Sequence, residues 1–159
     1  MLQKLLDGVE VIGNKVFHVG AAGNGATIKY VFETHFHADF VSGHLDLSKK
    51  TGAPIIYGPN ANPAFEAVIA KDGQEFKVGE LTLRVLHTPG HTLESTCYLL
   101  RDENKKAHAL FTGDTLFVGD VGRPDLSSGH LSSEELAGIM YDTMQNKILP
   151  LEDDIIVYP

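Results

Sequence analysis

The sequence has little of what would assign it to several large classes. One cysteine, Cys97, stands among 159 residues, and tryptophan is absent. A single thiol cannot close an internal disulfide, so disulfide-stapled scaffolds are excluded and a cytoplasmic, reducing setting is expected. No run approaches the roughly 20 apolar residues of a membrane-spanning helix. Lys4 and Leu5-Leu6 give way at once to Asp7-Gly8, so no apolar signal core forms. Basic residues are the third scarcity: 13 Lys and Arg face 21 Asp and Glu, for a net charge of −8. That balance repels phosphate backbones, and neither nucleic acid nor membrane is an expected partner. Internal repeats and low-complexity linkers are also missing, so residues 1–159 are read as a single domain.

What remains is an ordinary globular composition, 43% hydrophobic with 16 Gly and 7 Pro. Val9 to Ile12 and Lys15 to Val19 flank Gly13-Asn14, the signature of a hairpin. Ile28 to Phe32 is rich in β-branched and aromatic residues and reads as a strand. Val41, His44 and Leu45 share a face of a helix ending before Thr51-Gly52, and Pro54 to Tyr57 reads as the next strand. A helix is expected over Pro63 to Ala70, a strand over Leu81 to Leu86, and a hairpin over Thr96 to Leu110 folded at Asp102 to Lys106. Ser132 and Glu135 form a capping box ahead of Leu136, Ile139, Met140 and Met144, which recur at helical spacing until Pro150. Asp154 to Tyr158 reads as a last strand. Strands alternating with helices imply sheets packed with helices in layers, an α/β fold.

His35, His37 and Asp39 occupy alternate positions directly after a strand, so an extended backbone turns all three to one side. His91, in Thr88-Pro-Gly-His-Thr92, and Asp114, in Phe111-Thr-Gly-Asp-Thr115, follow two other strands, each with a glycine just before it. Loops at strand ends are where sites are built. Singly, any of these histidines is as readily a polar residue capping a strand. Together, imidazoles and carboxylates are ligands for Zn, Fe or Mn, and with no thiolate nearby the set looks catalytic and not structural. Such a cluster without a cation leaves buried charge unpaired at about 3–5 kcal/mol, which a divalent ion offsets. His18 and His108 read as hairpin residues, His87 and His130 as turn residues, His44 as half-buried, Cys97 as a small buried hydrophobe.

Thr34-His-Phe-His-Ala-Asp39, Thr88-Pro-Gly-His-Thr92 and Thr112-Gly-Asp114 resemble the metallo-β-lactamase fold superfamily in order and spacing. Within it, Glu33 to His44, His91 to Thr96 and Gly119-Asp-Val-Gly-Arg-Pro-Asp125 are similar to the persulfide dioxygenases, over about Ile28 to Pro159. The resemblance implies an αββα sandwich of mixed sheets with helices on the outer faces. It implies one Fe(II) per chain held by His35, His91 and Asp114, with His37 and Asp39 handling protons beside it and Arg123 meeting the thiol substrate. The implied reaction takes glutathione persulfide, or a similar small thiol persulfide, with O2 to sulfite and thiol. In the dinuclear glyoxalase II enzymes a histidine follows the motif's aspartate, where Phe40 stands here; an apolar ring donates no lone pair and disfavours a second metal.

Against the family pattern the chain is short at both ends, and no rhodanese domain accompanies it. Only residues 20–27 stand where members carry a strand and helix, and the sequence stops at Tyr158-Pro159 where they continue. Association into a homo-oligomer would cover surface left by missing elements. The alternative enzyme reading keeps the same ligands and makes the chain a zinc hydrolase of the glyoxalase II type acting on thioesters. A third reading is a truncated, metal-binding chain without turnover.

Overall fold

The computed structural model describes residues 10–12, 15–17, 27–37, 41–125 and 131–159, the first two segments as backbone only. The chain divides into two compact units, Met1–Val31 with His37–Ile55, and Phe32–Phe36 with Ile56–Pro159.

In the first unit, strands β1 (Glu10–Ile12) and β2 (Lys15–Phe17) pair antiparallel with Ile12 opposite Lys15, the hairpin expected around Gly13-Asn14. Helix α1 (His44–Thr51) ends where Gly52 adopts a left-handed conformation, φ 73°, and donates its N–H to the Ser48 carbonyl at 2.8 Å. Glycine takes that conformation without a Cβ penalty, which is why the helix stops there. Ser48 and Thr51 then tie the turn down through Ala53. Val41 lies outside the helix and is almost fully exposed.

Three short strands, β3 (Val31–Phe32), β4 (Ile55–Tyr57) and β5 (Val68–Ile69), form a sheet in the order β3-β4-β5. The helix expected over Pro63 to Ala70 is absent. Val68 and Ile69 instead pair in parallel with Ile56 and Tyr57, and Ala70 donates to the Tyr57 carbonyl at 2.8 Å. Pro63 supplies no N–H for a helix interior, and two adjacent β-branched residues suit the pleat that β4 offers.

The larger sheet belongs to the second unit. Strands β6 (Glu75–Val78), β7 (Leu81–His87), β8 (Thr96–Arg101), β9 (Ala107–Phe111) and β12 (Ile156–Tyr158) run in the order β12-β9-β8-β7-β6. The β12-β9 pairing is parallel and the others antiparallel. The β8-β9 hairpin turns as expected at Asp102, whose Oδ1 accepts from the amides of Asn104 and Lys106. A second hairpin, β10 (Leu116–Phe117) with β11 (Asp120–Val121), turns at Gly119, φ 80°.

Strand β8 is central and buried on both faces. Cys97 and Leu99 join Leu110 and Ile148 in a core cluster with Leu86, Leu116 and Met144 beside it. The Tyr98 side chain turns the other way: its hydroxyl donates to the Glu33 carbonyl at 2.8 Å and its ring lies 4.8 Å from that of Phe32. Phe32 also meets Phe76 edge-on at 5.4 Å, so the two sheets face each other across aromatic rings.

Helix α2 (Ser133–Thr143) starts at the capping box read from the sequence: the Ser132 hydroxyl accepts from the Glu135 amide, and the Glu135 carboxylate accepts from the Ser132 amide. Leu136 and Met140 are its buried face. The helix does not run on to Pro150 as an α-helix. Residues 144–148 form a π-helical turn, closed by the Leu149 amide on the Met144 carbonyl at 2.9 Å. Among the described residues no helix is long and apolar enough to cross a membrane.

Candidate metal centre

Three strand ends of the second unit converge. The first carries His35, two residues past Glu33, whose amide donates to the Ile56 carbonyl at 3.0 Å. The segment is pinned from both sides of the ring. Thr96 donates its N–H to the Thr34 carbonyl at 2.9 Å, and the Phe36 amide donates to Glu94 Oε1 at 3.2 Å. Burial pushes the Glu33 carboxyl up to about 7. It also raises the Tyr57 hydroxyl, with the negative charges of Glu33 and Glu94 adding to the effect.

The second strand end is the loop after β7. Thr88 donates its amide to the Ser95 carbonyl, and Thr92 and Ser95 join their hydroxyls at 2.7 Å, closing a tight loop around His91. Helix α2 supports it from outside. Thr143 donates its hydroxyl to the Pro89 carbonyl at 2.7 Å, and a Cβ on Gly90 would lie 2.6 Å from the Met140 Cα. Only glycine allows that approach.

The third strand end is a single 3₁₀ turn, Gly113–Thr115, which presents Asp114. Gly113 has φ 47°, and a Cβ there would lie 2.5 Å from Thr34 Oγ1. The backbone of the Asp114 turn therefore rests directly on the residue that precedes His35.

His35 and His91 are 3% and 6% exposed, and their rings meet edge-on with centroids 4.9 Å apart. Asp114 Oδ2 lies 3.8 Å from His35 Nε2 and 3.5 Å from His91 Nε2. The tautomer of His91 is fixed by its other nitrogen. Nδ1 is 2.9 Å from the Arg123 carbonyl oxygen. A carbonyl only accepts, so Nδ1 carries the hydrogen and, in the neutral ring, Nε2 presents a lone pair to the carboxylate. Two lone pairs at 3.5 Å repel unless a proton or a metal ion lies between them. Donors about 2.1 Å from one tetrahedral ion stand roughly 3.4 Å apart, so the spacing fits a shared metal. The His91–Arg123 contact is also the outer hydrogen bond that metal-bound imidazoles usually make.

The Arg123 guanidinium is mostly exposed and forked onto Asp125, with Nε to Oδ1 at 3.0 Å and Nη2 to Oδ2 at 2.7 Å. That pairing holds the Asp125 carboxyl below its usual range. His37 is half-buried and belongs to the first unit. Asp39 and Phe40 lie outside the described residues.

Gly122 stands in the motif running from Gly119 to Asp125, but its packing role is not read from the sequence. A Cβ there would collide with the Asp114 carbonyl oxygen and lie 2.9 Å from His91 Cβ. Its signal was available in Gly119-Asp-Val-Gly122, where a second glycine falls after the hairpin turn is already made. Thr88 and Thr115 stand in the other motifs, and their packing is likewise not read from the sequence. They are fully buried, with hydroxyls 3.1 Å apart, and Thr88 donates to Cys97 Sγ at 3.3 Å. Burial pushes the Cys97 thiol up to about 11, consistent with an inert core residue.

The profile of the Metallo-beta-lactamase superfamily matches residues 20–157, and all three strand-end residues fall within it. The chain belongs to the metallo-β-lactamase superfamily. As a superfamily member it is 33% identical over 132 residues to a probable hydroxyacylglutathione hydrolase of Schizosaccharomyces pombe, covering 83% of this chain and 47% of that protein. To a hydroxyacylglutathione hydrolase of Brucella anthropi it is 38% identical over 138 residues, covering 84% and 47%. The chain thus spans about half the length of these curated relatives.

Among solved structures of the metallo-β-lactamase fold, a metallo-beta-lactamase from Staphylococcus aureus superposes with TM-score 0.78 at 38% identity, covering 87% of this chain and 43% of that one. ETHE1 from Myxococcus xanthus gives TM-score 0.73 at 35% identity, covering 87% and 56%. The mixed sheets and few helices agree with the expected superfamily sandwich.

The expectation of a persulfide dioxygenase does not stand. The curated relatives at 33–41% identity carry the name hydroxyacylglutathione hydrolase, and the likeness to ETHE1 is one of structure. The physical reason is that two imidazoles and one carboxylate serve a Lewis-acid hydrolase as well as an iron oxygenase. Such a donor set suits a metal ion and leaves the reaction open.

Proposed function

We propose that His35, His91 and Asp114 hold a zinc ion and that the chain hydrolyses a thioester of glutathione of the hydroxyacyl class. The observation that carries this reading is the His91 tautomer, set by the Arg123 carbonyl, with Nε2 facing the Asp114 carboxylate at 3.5 Å. The stability order of divalent ions at nitrogen and oxygen ligands supports zinc over iron. The hydrolase names of the relatives at 33% and 38% identity support thioester cleavage.

When bound, such an ion supplies a Lewis acid for the thioester carbonyl and an acidified water at neutral pH. The protein's own residues do the rest. His35 and His91 present buried ring nitrogens, and Asp114, 22% exposed at its side chain, opens the centre toward solvent. Arg123 offers a bidentate fork to a glutathione carboxylate, which replaces Asp125 as its partner. His37 and Asp39, from their alternation with His35, take the proton-handling role. A cytoplasmic setting suits this substrate class and the single thiol.

The test is thiol release from a hydroxyacylglutathione thioester by the zinc-loaded chain. Turnover that a chelator abolishes, that zinc restores and that His91→Ala lacks is the expected result. Metal-loaded protein that releases no more thiol than His91→Ala overturns the proposal.

A further inference from the structure

Below the three ligands runs a buried hydrogen-bonded chain that thioester hydrolysis leaves unused. Thr115 Oγ1 lies 3.1 Å from Thr88 Oγ1, Thr88 Oγ1 3.3 Å from Cys97 Sγ, and Cys97 Sγ 3.7 Å from the Thr112 carbonyl oxygen. The Thr112 hydroxyl reaches the Leu116 carbonyl at 2.7 Å and, more weakly, that of Tyr158 at 3.3 Å. Thr88, Cys97, Thr112 and Thr115 are each no more than 1% exposed.

Proton accounting gives the chain one direction. The Leu116 and Tyr158 carbonyls only accept, so the Thr112 hydroxyl donates to them. The Thr112 carbonyl takes the Cys97 thiol hydrogen, the sulfur accepts from Thr88, and the Thr88 oxygen accepts from Thr115. Every donor is used and none is left over. Buried networks in that condition are rigid, and a gap in one is costly.

The members of the chain are also distributed to a purpose. Thr88 opens the loop that carries His91. Thr112 and Thr115 lie on either side of Asp114. Strands β7 and β9 do not pair, because β8 lies between them. Cys97, on β8 opposite Leu86 of β7, bridges that gap with its side chain.

We propose that Thr88, Cys97 and Thr115 are positioning residues whose hydrogen-bonded chain fixes the separation of His91 and Asp114 and so sets the metal affinity of the centre. The inference rests on the reading of His35, His91 and Asp114 as metal ligands. It differs from a packing role in one respect: it depends on the hydroxyl and thiol hydrogens and not on the volume of the side chains. Thr→Val keeps the volume and removes the hydroxyl; Thr→Ser does the reverse.

The experiment compares the whole chain as wild type, Thr115→Val, Thr115→Ser, Cys97→Ala and Cys97→Ser. Co(II) affinity is measured by chelator competition, the visible Co(II) bands are recorded, and apo-protein unfolding is followed in parallel. Thr115→Val and Cys97→Ala are expected to bind Co(II) about tenfold or more weakly, with altered bands, while Thr115→Ser and Cys97→Ser stay within about threefold of wild type. Should Thr115→Val fail to fold, Thr88→Val set against Thr88→Ser makes the same comparison of hydroxyl with volume. Thr115→Val or Cys97→Ala binding like wild type, or the serine variants weakening as much as the others, overturns the inference alone. A wild-type chain that binds no Co(II) defeats the metal-site reading and this inference with it.

Discussion

Gly122 packs against Asp114 so tightly that a Cβ at position 122 would run into the Asp114 carbonyl oxygen, with His91 Cβ only 2.9 Å away. The next residue, Arg123, supplies the carbonyl that orients His91. A side chain at 122 must therefore lift this segment off both residues at once. Gly122→Ala is expected to weaken zinc binding at least about tenfold and to cost about 1–3 kcal/mol of stability through overpacking. Chelator competition and urea unfolding measure the two, and an alanine variant with wild-type affinity would show that the loop has room to give.

Arg123 and Asp125 set a second expectation. The guanidinium is already forked onto a carboxylate of its own chain, so a substrate carboxylate competes with Asp125 for it. Asp125→Asn removes that competitor and is expected to lower KM for a glutathione thioester, at most about fivefold as befits an exposed pair. Steady-state kinetics with a carboxylate-bearing thioester and a neutral one separates the effect: the neutral thioester should respond to neither Asp125→Asn nor Arg123→Ala.

Acid stability has a local contribution from Asp72. Partial burial works against its carboxylate, but hydrogen bonds from Lys147 Nζ at 2.6 Å and from the His87 amide at 2.8 Å outweigh it and hold the carboxyl below its ordinary range. A folded value below the unfolded one stabilises the protein above about pH 4, and that stability disappears as pH falls through the folded value. Because the pair is partly exposed, the advantage of wild type over Asp72→Asn at pH 7 should be no more than about 1 kcal/mol. Denaturant unfolding at pH 7 and at about pH 3 tests the sign: the gap between the two proteins should close in acid.

Ser132 offers a contrast, since it stabilises helix α2 without touching the metal ligands. Ser132→Ala removes the acceptor for the Glu135 amide and is expected to cost about 1 kcal/mol. Urea unfolding should register that loss, while zinc affinity stays at the wild-type value. A drop in affinity would mean that the helix transmits strain through Thr143 and Met140 to the His91 loop.

What the sequence made legible was local. The β1-β2 hairpin, the capping box at Ser132, the Asp102 turn and the glycine stop at Gly52 all follow from residues within a few positions of one another. His35, His91 and Asp114 stand out as candidates because each follows a strand in a recognisable motif. Pro63 to Ala70 was misread as helix because the partner that makes Val68 and Ile69 a strand is β4, eleven or more residues away in sequence and unseen by periodicity. The π-helical turn at 144–148 keeps the same apolar spacing as an α-helix over its short length, so the pattern did not distinguish them. The roles of Gly122, Thr88 and Thr115 are not legible for a related reason: they come from what the fold sets beside residues that sit within the sequence motifs. The reaction was less legible still, because the metal-binding set itself is common to oxidative and hydrolytic chemistry.

Strand β12 meets the rest of the sheet through β9, and its last pairing continues into the site: the Thr112 amide donates to the Tyr158 carbonyl at 2.9 Å. Thr112 is two residues from Asp114. Fraying of that outermost strand thus frees one end of the turn that presents the carboxylate. Deuterium uptake at a single amide, that of Thr112, would report peeling at the rim of the sheet and loosening of the cation's seat as one event.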